Sequence, residues 1–333
     1  MNIGIIGLGG MGRDHLERVH TKVPGARVTG LYDIDSELTA RLAGQYGATA
    51  FDSAEALINS PLVDAVMVVS VDQTHYAFVM ACIEAGKPVL CEKPLASGAA
   101  EAADIIRAEQ AAGRRLVSVG FMRRFDPAYQ DLKRYVDEGS LGAVLMAKAA
   151  HRNVKQPPYF QNDMVVNNVA IHEIDIFRWL LGEEYRSVQY FSGKQNPGSP
   201  ERYDDPVLLM LTMQSGLRVM LEVNQHAVYG YDIQCELLFA QGAAELDSPA
   251  GTRLLTDGSY RTPVLTDWTL RFKDAYDIEI NAWVRALSGH RIPETASAWD
   301  GYVAAITAET LLKSRDTDAV QPVLLPERPA FYR

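Results

Sequence analysis

Six residues near the start limit the fold of this chain more than any others. Gly7-Leu8-Gly9-Gly10-Met11-Gly12 holds the GxGxxG spacing directly after the apolar run Asn2–Gly7 and at the opening of a helical pattern over Met11–His20. The spacing alone is a weak signal. A strand before it and a helix after it give it meaning, because a βαβ unit uses each glycine differently. Gly7 makes the tight turn, Gly9 lets the backbone approach a pyrophosphate, and Gly12 lets helix and strand pack closely. Gly10 and Met11 open the helix, whose N-terminal N–H groups attract phosphate. The alternative is an ordinary glycine-rich turn.

The rest of the first third repeats that rhythm. Short apolar runs at Arg27–Tyr32, Ala65–Val69, Pro88–Glu92 and Arg115–Val119 alternate with helical patterns at Ser36–Tyr46, Ser53–Ile58, Thr74–Ala85 and Ala99–Ala112. Fully apolar strands between amphipathic helices predict a doubly wound parallel sheet covered on both faces. After about Gly120 the rhythm changes. A helix at Pro127–Glu138, a strand at Ala143–His151 and a helix at Val169–Leu181 precede strands at Val188–Ser192, Val207–Met213, Arg218–Asn224, Asp232–Ala240 and Ala243–Asp247. Successive strands without helices between them predict an α+β domain with a largely antiparallel sheet. Late helices are expected at Ala275–Leu287 and Ser297–Ser314, and an exposed loop at Lys194–Asp205. The division expected is residues 1–120 and 121–333, in keeping with two domains for a chain of 333 residues.

A net charge of −10 argues against nucleic acid or an anionic membrane as the main partner. The three cysteines, Cys82, Cys91 and Cys235, form no CxxC pair and suggest free thiols in a reducing compartment. No apolar run approaches the roughly 20 residues that span a bilayer. The opening MNIGIIGLGG reads as the first element of a fold, not as a signal peptide. Together these predict a cytoplasmic protein.

Asp33 ends the second strand, at the spacing of the acid that holds adenosine ribose hydroxyls. A carboxylate there repels a 2′-phosphate, which favours NAD over NADP; a helix cap before Ser36 is the alternative. Glu92-Lys93-Pro94 follows the fourth strand, where ligands of open parallel sheets gather. Lys93 is either a reactive lysine or a solvated one. In Asn168-Val169-Ala170-Ile171-His172-Glu173-Ile174-Asp175, helical spacing sets His172 beside an apolar face, as a packed residue or a catalyst. A zinc-protease HExxH would need His at Ile176, and no other spacing resembles a metal site.

These motifs, in this order and at these separations, resemble the Gfo/Idh/MocA oxidoreductase family over essentially the whole chain, and within it the inositol dehydrogenase branch. Further hints to the branch are Gly120-Phe121-Met122-Arg123-Arg124-Phe125-Asp126, His151-Arg152-Asn153 and Tyr229-Gly230-Tyr231-Asp232-Ile233-Gln234-Cys235-Glu236. The resemblance implies NAD as cofactor, a Rossmann domain, and a second domain whose free sheet face mediates homo-oligomers, tetramers or dimers. It makes Lys93 and His172 the catalytic pair: His172 accepts the hydroxyl proton as hydride leaves for C4 of the nicotinamide, and Lys93 stabilises the developing alkoxide. It assigns Arg123, Asn153 and Tyr231 to polyol hydroxyls, and Ser70, His75, Glu92 and Lys93 to the cofactor's border; His75 could equally cap or pack its helix. The Lys93–Pro94 peptide is expected to be cis, because the strand must turn sharply while aiming Lys93 into the cleft.

Asn168 departs from the branch, which usually carries Asp four residues before the catalytic His. It is expected to meet substrate or His172, or else to cap the helix beginning near Val169. The implied activity is oxidation of a ring hydroxyl of inositol or a related sugar. The rivals are a lyase or glycosidase of the same family that uses NAD transiently, and a non-catalytic sugar or NAD sensor. A sensor has no need of a proton acceptor such as His172.

Overall fold

Short aliphatic runs, each followed by a helix, place seven strands in one sheet. In spatial order they are Ala296–Ser297, Val117–Gly120, Val89–Glu92, Ala65–Val68, Asn2–Ile6, Arg27–Tyr32 and Thr49–Ala50. Every pairing is parallel except that of Ala296–Ser297 with Val117–Gly120. Ala65–Val68 is 0% exposed at every residue, as a strand covered on both faces must be. The chain begins in the middle of this sheet. Asn2–Ile6 pairs with Arg27–Tyr32 on one side and Ala65–Val68 on the other, so crossovers run outward in opposite directions. The crevice at its carboxyl end is the switch point at which such sheets bind ligands.

The computed structural model describes residues 1–247 and 254–333. By backbone proximity the chain forms two compact units, one of residues 1–122, 276–306 and 326–333, the other of residues 123–275 and 307–325. A single boundary at residue 120 therefore misses the return of C-terminal segments to the first unit. The reason is hydrophobic. Ile280, Trp283 and Val284 share a core with Ile3, Ile5, Leu16 and Leu31, so a helix distant in sequence supplies apolar cover for the first sheet. Among the described residues no helix is long and apolar enough to cross a membrane.

The second unit is built on another seven-stranded sheet, in the order Gly242–Glu245, Asp232–Phe239, Val144–Arg152, Arg218–Asn224, Val207–Met213, Tyr185–Ser192 and Gln321–Pro322. It is antiparallel apart from one internal pair, Arg218–Asn224 against Val144–Arg152. Alternate residues of Arg218–Asn224 and Asp232–Phe239 are buried, as expected when one face packs on helices. The helix Ile171–Leu181 is buried at nine positions, among them Phe177 and Leu180, and its Ile174 carbonyl accepts the Tyr185 hydroxyl at 2.6 Å. The sheet's other face is partly open. It carries the cross-strand ion pairs Lys148–Glu236 and Arg152–Glu222, with Leu208 and Leu238 each over a third exposed. The loop at residues 194–205 is pinned by Asp205, which accepts the Gln225 N–H at 2.7 Å.

In the first unit the Glu109 side chain is fully buried, accepting the N–H groups of Leu116 and Val117 and the Tyr332 hydroxyl. Burial is the largest influence on this carboxyl and raises its pKa above the ordinary 4.5, the donors offsetting it only in part. Below that ordinary value the group is protonated both folded and unfolded. Above it the unfolded chain releases the proton first, so stability falls as pH rises through the raised folded value. Glu109→Gln removes this titration. Urea midpoints measured from about pH 4 to about pH 7 should therefore shift increasingly in the variant's favour as pH rises; a constant difference would contradict the assignment.

Candidate active site

The first unit gathers the glycine turn, Asp33, Ser70 and the Lys93 turn at the carboxyl ends of its central strands. Gly7 adopts φ +94°, and a Cβ there would stand 2.5 Å from the Ser70 backbone nitrogen. A Cβ on Gly12 would stand 1.9 Å from the Gly7 carbonyl oxygen. Gly9 and Gly10 are different: an added Cβ meets nothing within 4 Å at either. The loop is thus closed against its own sheet and open outward, where a pyrophosphate can approach the N–H groups that begin the helix Gly10–Lys22. Met11 packs against the core at the helix's first turn. Asp33 accepts the Leu8 N–H at 2.6 Å and the Asp35 N–H at 3.0 Å. The helix cap belongs to Asp35, which accepts from Leu38, so Asp33 is not the capping residue. The donor set and the open approach fit a dinucleotide.

Ser70 shares a hydrogen bond with Thr74 at 2.6 Å. His75 is buried, with Nδ1 2.6 Å from the Pro94 carbonyl oxygen and Nε2 3.0 Å from that of Ser70. Its ring ties the Ser70 turn to the Lys93 turn, so both nitrogens face protein and none is turned to a cofactor. The Lys93–Pro94 peptide is cis, as expected. The Glu92 carboxylate also faces inward, toward His15 at 2.8 Å and the Lys93 N–H at 3.2 Å. Through these contacts Glu92 and His75 both shape the turn that carries Lys93.

In the second unit His172 stands at the start of the helix Ile171–Leu181 and is 9% exposed. A π-helical turn, Val165–Ala170, runs into this helix without a break. Asn168 lies inside that turn, half-buried. Ala170, the residue before the helix, already has helical backbone, and no side chain caps it. Asn168 is therefore not the cap of this helix. Wide turns of this kind push one residue outward and recur at functional sites.

Beside His172 lies a buried cluster. The His151 ring is 6.2 Å from that of His172, and its Nδ1 is 3.0 Å from Glu173 Oε2. Arg123, 1% exposed, is ion-paired with Glu173, lies 3.2 Å from His151 Nδ1 and stacks over Phe272. Burial opposes the charge on Glu173, but Arg123 and His151 outweigh it and hold the carboxyl below its ordinary range. The Tyr231 ring meets His151 edge-on at 5.9 Å, and burial pushes its pKa up to about 12. Asn153 donates to the buried Gln225 at 3.0 Å, leaving its own carbonyl oxygen for another partner. The Arg123 guanidinium pairs with Glu173 inside the cluster, while its buried Nε has no hydrogen-bond partner among the described residues.

His15, His151, Glu173 and Gln225 had no assigned role in the sequence reading. The signal for His15 was present: it shares the buried stripe of Gly12, Leu16 and Val19. Among the described residues no group of His, Cys, Asp and Glu is arranged to hold a metal ion.

With this geometry in place, similarity to known proteins is informative. Residues 1–121 match the oxidoreductase family with the NAD-binding Rossmann fold, and residues 129–245 match the GFO/IDH/MocA C-terminal domain. The chain is 40% identical to the inositol 2-dehydrogenase of Burkholderia lata, over 100% of this chain and 99% of the relative. It is 39% identical to the inositol 2-dehydrogenase/D-chiro-inositol 3-dehydrogenase of Shouchella clausii, over 100% of this chain and 97% of the relative. Among solved structures, myo-inositol dehydrogenase from Lactobacillus casei, in complex with NAD(H) and myo-inositol, superposes with a TM-score of 0.97 at 33% identity, covering 100% of this chain and 99% of that one.

The two kinds of glycine contact separate folding from binding. Gly12→Ala must displace backbone and should lower stability by about 1–3 kcal/mol, the usual range for overpacking. Gly9→Ala meets no protein atom, so its urea midpoint should equal that of the wild type while calorimetry shows weaker NAD binding. Equal NAD affinity in Gly9→Ala would remove the pyrophosphate from this loop.

Proposed function

The chain belongs to the Gfo/Idh/MocA oxidoreductase family, and from that premise we propose that it is an NAD-dependent dehydrogenase oxidising a ring hydroxyl of an inositol. One observation carries the reading. A chain similar along its whole length to inositol dehydrogenases has Lys93 just after a central strand and His172 at the head of a buried helix. A bound nicotinamide supplies the hydride acceptor. His172 takes the proton of the reacting hydroxyl, a task suited to an imidazole near neutral pH. Lys93 donates a hydrogen bond to the oxygen as charge develops on it. Asn153, Tyr231 and Asn168 hold other hydroxyls, and Arg123 acts through Glu173 and His151, which it fixes in place. Asp33 takes the ribose hydroxyls and repels a 2′-phosphate.

We assign the assembly of subunits, as a tetramer or dimer, to the open face of the second sheet, where exposed Leu208 and Leu238 lie among charged residues. The three cysteines are buried and free, which suits the reducing cytoplasm.

NADH absorbance followed over a panel of inositol stereoisomers and aldoses tests the reading. Net NADH formation with an inositol is expected. Its absence across the panel would favour transient use of NAD or a sensor. His172→Ala should lose roughly 10²–10⁴-fold in turnover, the span typical of a general base, with NAD binding intact. Near-normal turnover would make His172 a packing residue.

Asn168 offers an acceptor and donors but no charge. Asn168→Asp places a carboxylate near His172, and an opposite charge favours the protonated imidazole. The acidic limb of kcat/KM, on which protonation of the base lowers the rate, should move to higher pH in the variant. An unmoved limb would sever Asn168 from His172.

A further inference from the structure

A largely buried carboxylate and a buried imidazole lie behind the Lys93 turn. His15 is on the helix that opens at the glycine loop and is 1% exposed. Its Nε2 is 2.8 Å from Glu92 Oε1, and because a carboxylate only accepts, the hydrogen sits on Nε2. The other carboxylate oxygen, Oε2, accepts the backbone N–H of Lys93 at 3.2 Å. One carboxylate thus joins the dinucleotide helix to the backbone of the proposed active-site lysine.

The surroundings keep this contact in one geometry. The Tyr276 ring meets His15 edge-on at 5.6 Å, and Arg18 stacks on that tyrosine at 5.2 Å. His15 Nδ1 has no hydrogen-bond partner among the described residues, so Glu92 is the ring's one polar tether. On the other side, a Cβ on Gly120 would stand 3.2–3.3 Å from the Glu92 carboxyl atoms; the neighbouring strand leaves that room free.

Burial opposes the charge on Glu92, and His15 and Lys93 together overcome it, keeping the carboxyl below its ordinary range. If the contact served only to fasten helix to strand, two apolar side chains of similar shape would do as well or better, since buried polar pairs gain little net stability. An apolar pair could neither hold the Lys93 N–H nor set a negative charge beside Lys93.

We propose that Glu92 and His15 are a positioning pair for Lys93, through which the dinucleotide-binding helix sets the aim and the charge surroundings of that lysine. The inference rests on the role proposed for Lys93. Neither residue touches the reacting atoms; both act through the lysine.

The test uses the full chain with NAD and the inositol that it oxidises. His15→Phe keeps a ring and removes the donor, so kcat should fall about 10- to 100-fold, as for a misplacement near 1 Å. The NAD dissociation constant and the KM for inositol should stay near wild type. His15→Gln, whose amide donates from a similar place, should restore most of kcat. Gly120→Ala, which nudges the carboxylate by tenths of an ångström, should lower kcat less, at an unchanged urea midpoint. A His15→Phe enzyme with wild-type kcat, or a loss that follows the urea midpoint and is not restored by His15→Gln, overturns the proposal. Lys93→Met separates the two readings. If it keeps wild-type turnover, the role of the lysine fails; if it is inactive while His15→Phe is normal, only the pair fails. Crystal structures of wild type and His15→Phe give a readout independent of activity. A Lys93 shift beyond about 0.5 Å, the tolerance of a productive site, supports the pair, and an unmoved lysine overturns it.

Discussion

The carbonyl oxygen of Gly7 occupies the place where a side chain on residue 12 would begin, and Gly7 itself lies against the backbone of Ser70. The first unit depends on this double approach. Without a Cβ at either position, the first strand, the first helix and the turn after Ala65–Val68 pack backbone to backbone. The depth of the helix then follows, and with it the reach of His15 to Glu92. The same approach sets Ser70 where His75 can join it to Pro94. From one steric fact, two short chains of contacts lead to Lys93: one through the helix and a carboxylate, the other through a turn and an imidazole.

The second unit relies on a different constraint. It buries Arg123, Glu173 and His151 in contact, close to His172. Such charges are costly to desolvate, and removing one partner leaves the other stranded at a cost of about 3–5 kcal/mol. A second buried pair, Arg124 with Asp175, holds another side of the same helix two residues further on. These pairs give the helix a defined rotation, where an apolar face alone would tolerate several. Rotation matters here because Glu173 and His172 are neighbours in sequence, and turning Glu173 to the cluster also fixes where the His172 ring lies beside it.

The elements themselves were legible from local pattern. Ser36–Tyr46, Ala99–Ala112, Pro127–Glu138, Arg27–Tyr32, Val207–Met213 and Arg218–Asn224 begin and end where periodicity and turn residues set them. The glycine turn was legible because its steric demand is met within a few residues. The same holds for the change from parallel to antiparallel strands, since a strand's neighbour in sequence decides whether a crossover helix is needed.

What the pattern could not show were contacts between residues far apart in the chain. Asp33 reads as a ribose-binding acid or a helix cap until the helix start gives the cap to Asp35. Arg123 reads as a polyol-binding position, and its pairing with Glu173, fifty residues away, shows only in the fold. The partners of His75 and Glu92, Pro94 and His15, lie 19 and 77 residues away and are not marked in the local pattern. The return of Ile280 and Trp283 to the first core is invisible for the same reason. Local sequence determined the glycine turn, the strands, the helices and the presence of Lys93 and His172, because steric and periodic demands act over a few residues. Tertiary structure alone decided which polar groups are spent on one another and which remain for a ligand, because hydrogen bonds and desolvation depend on neighbours in space.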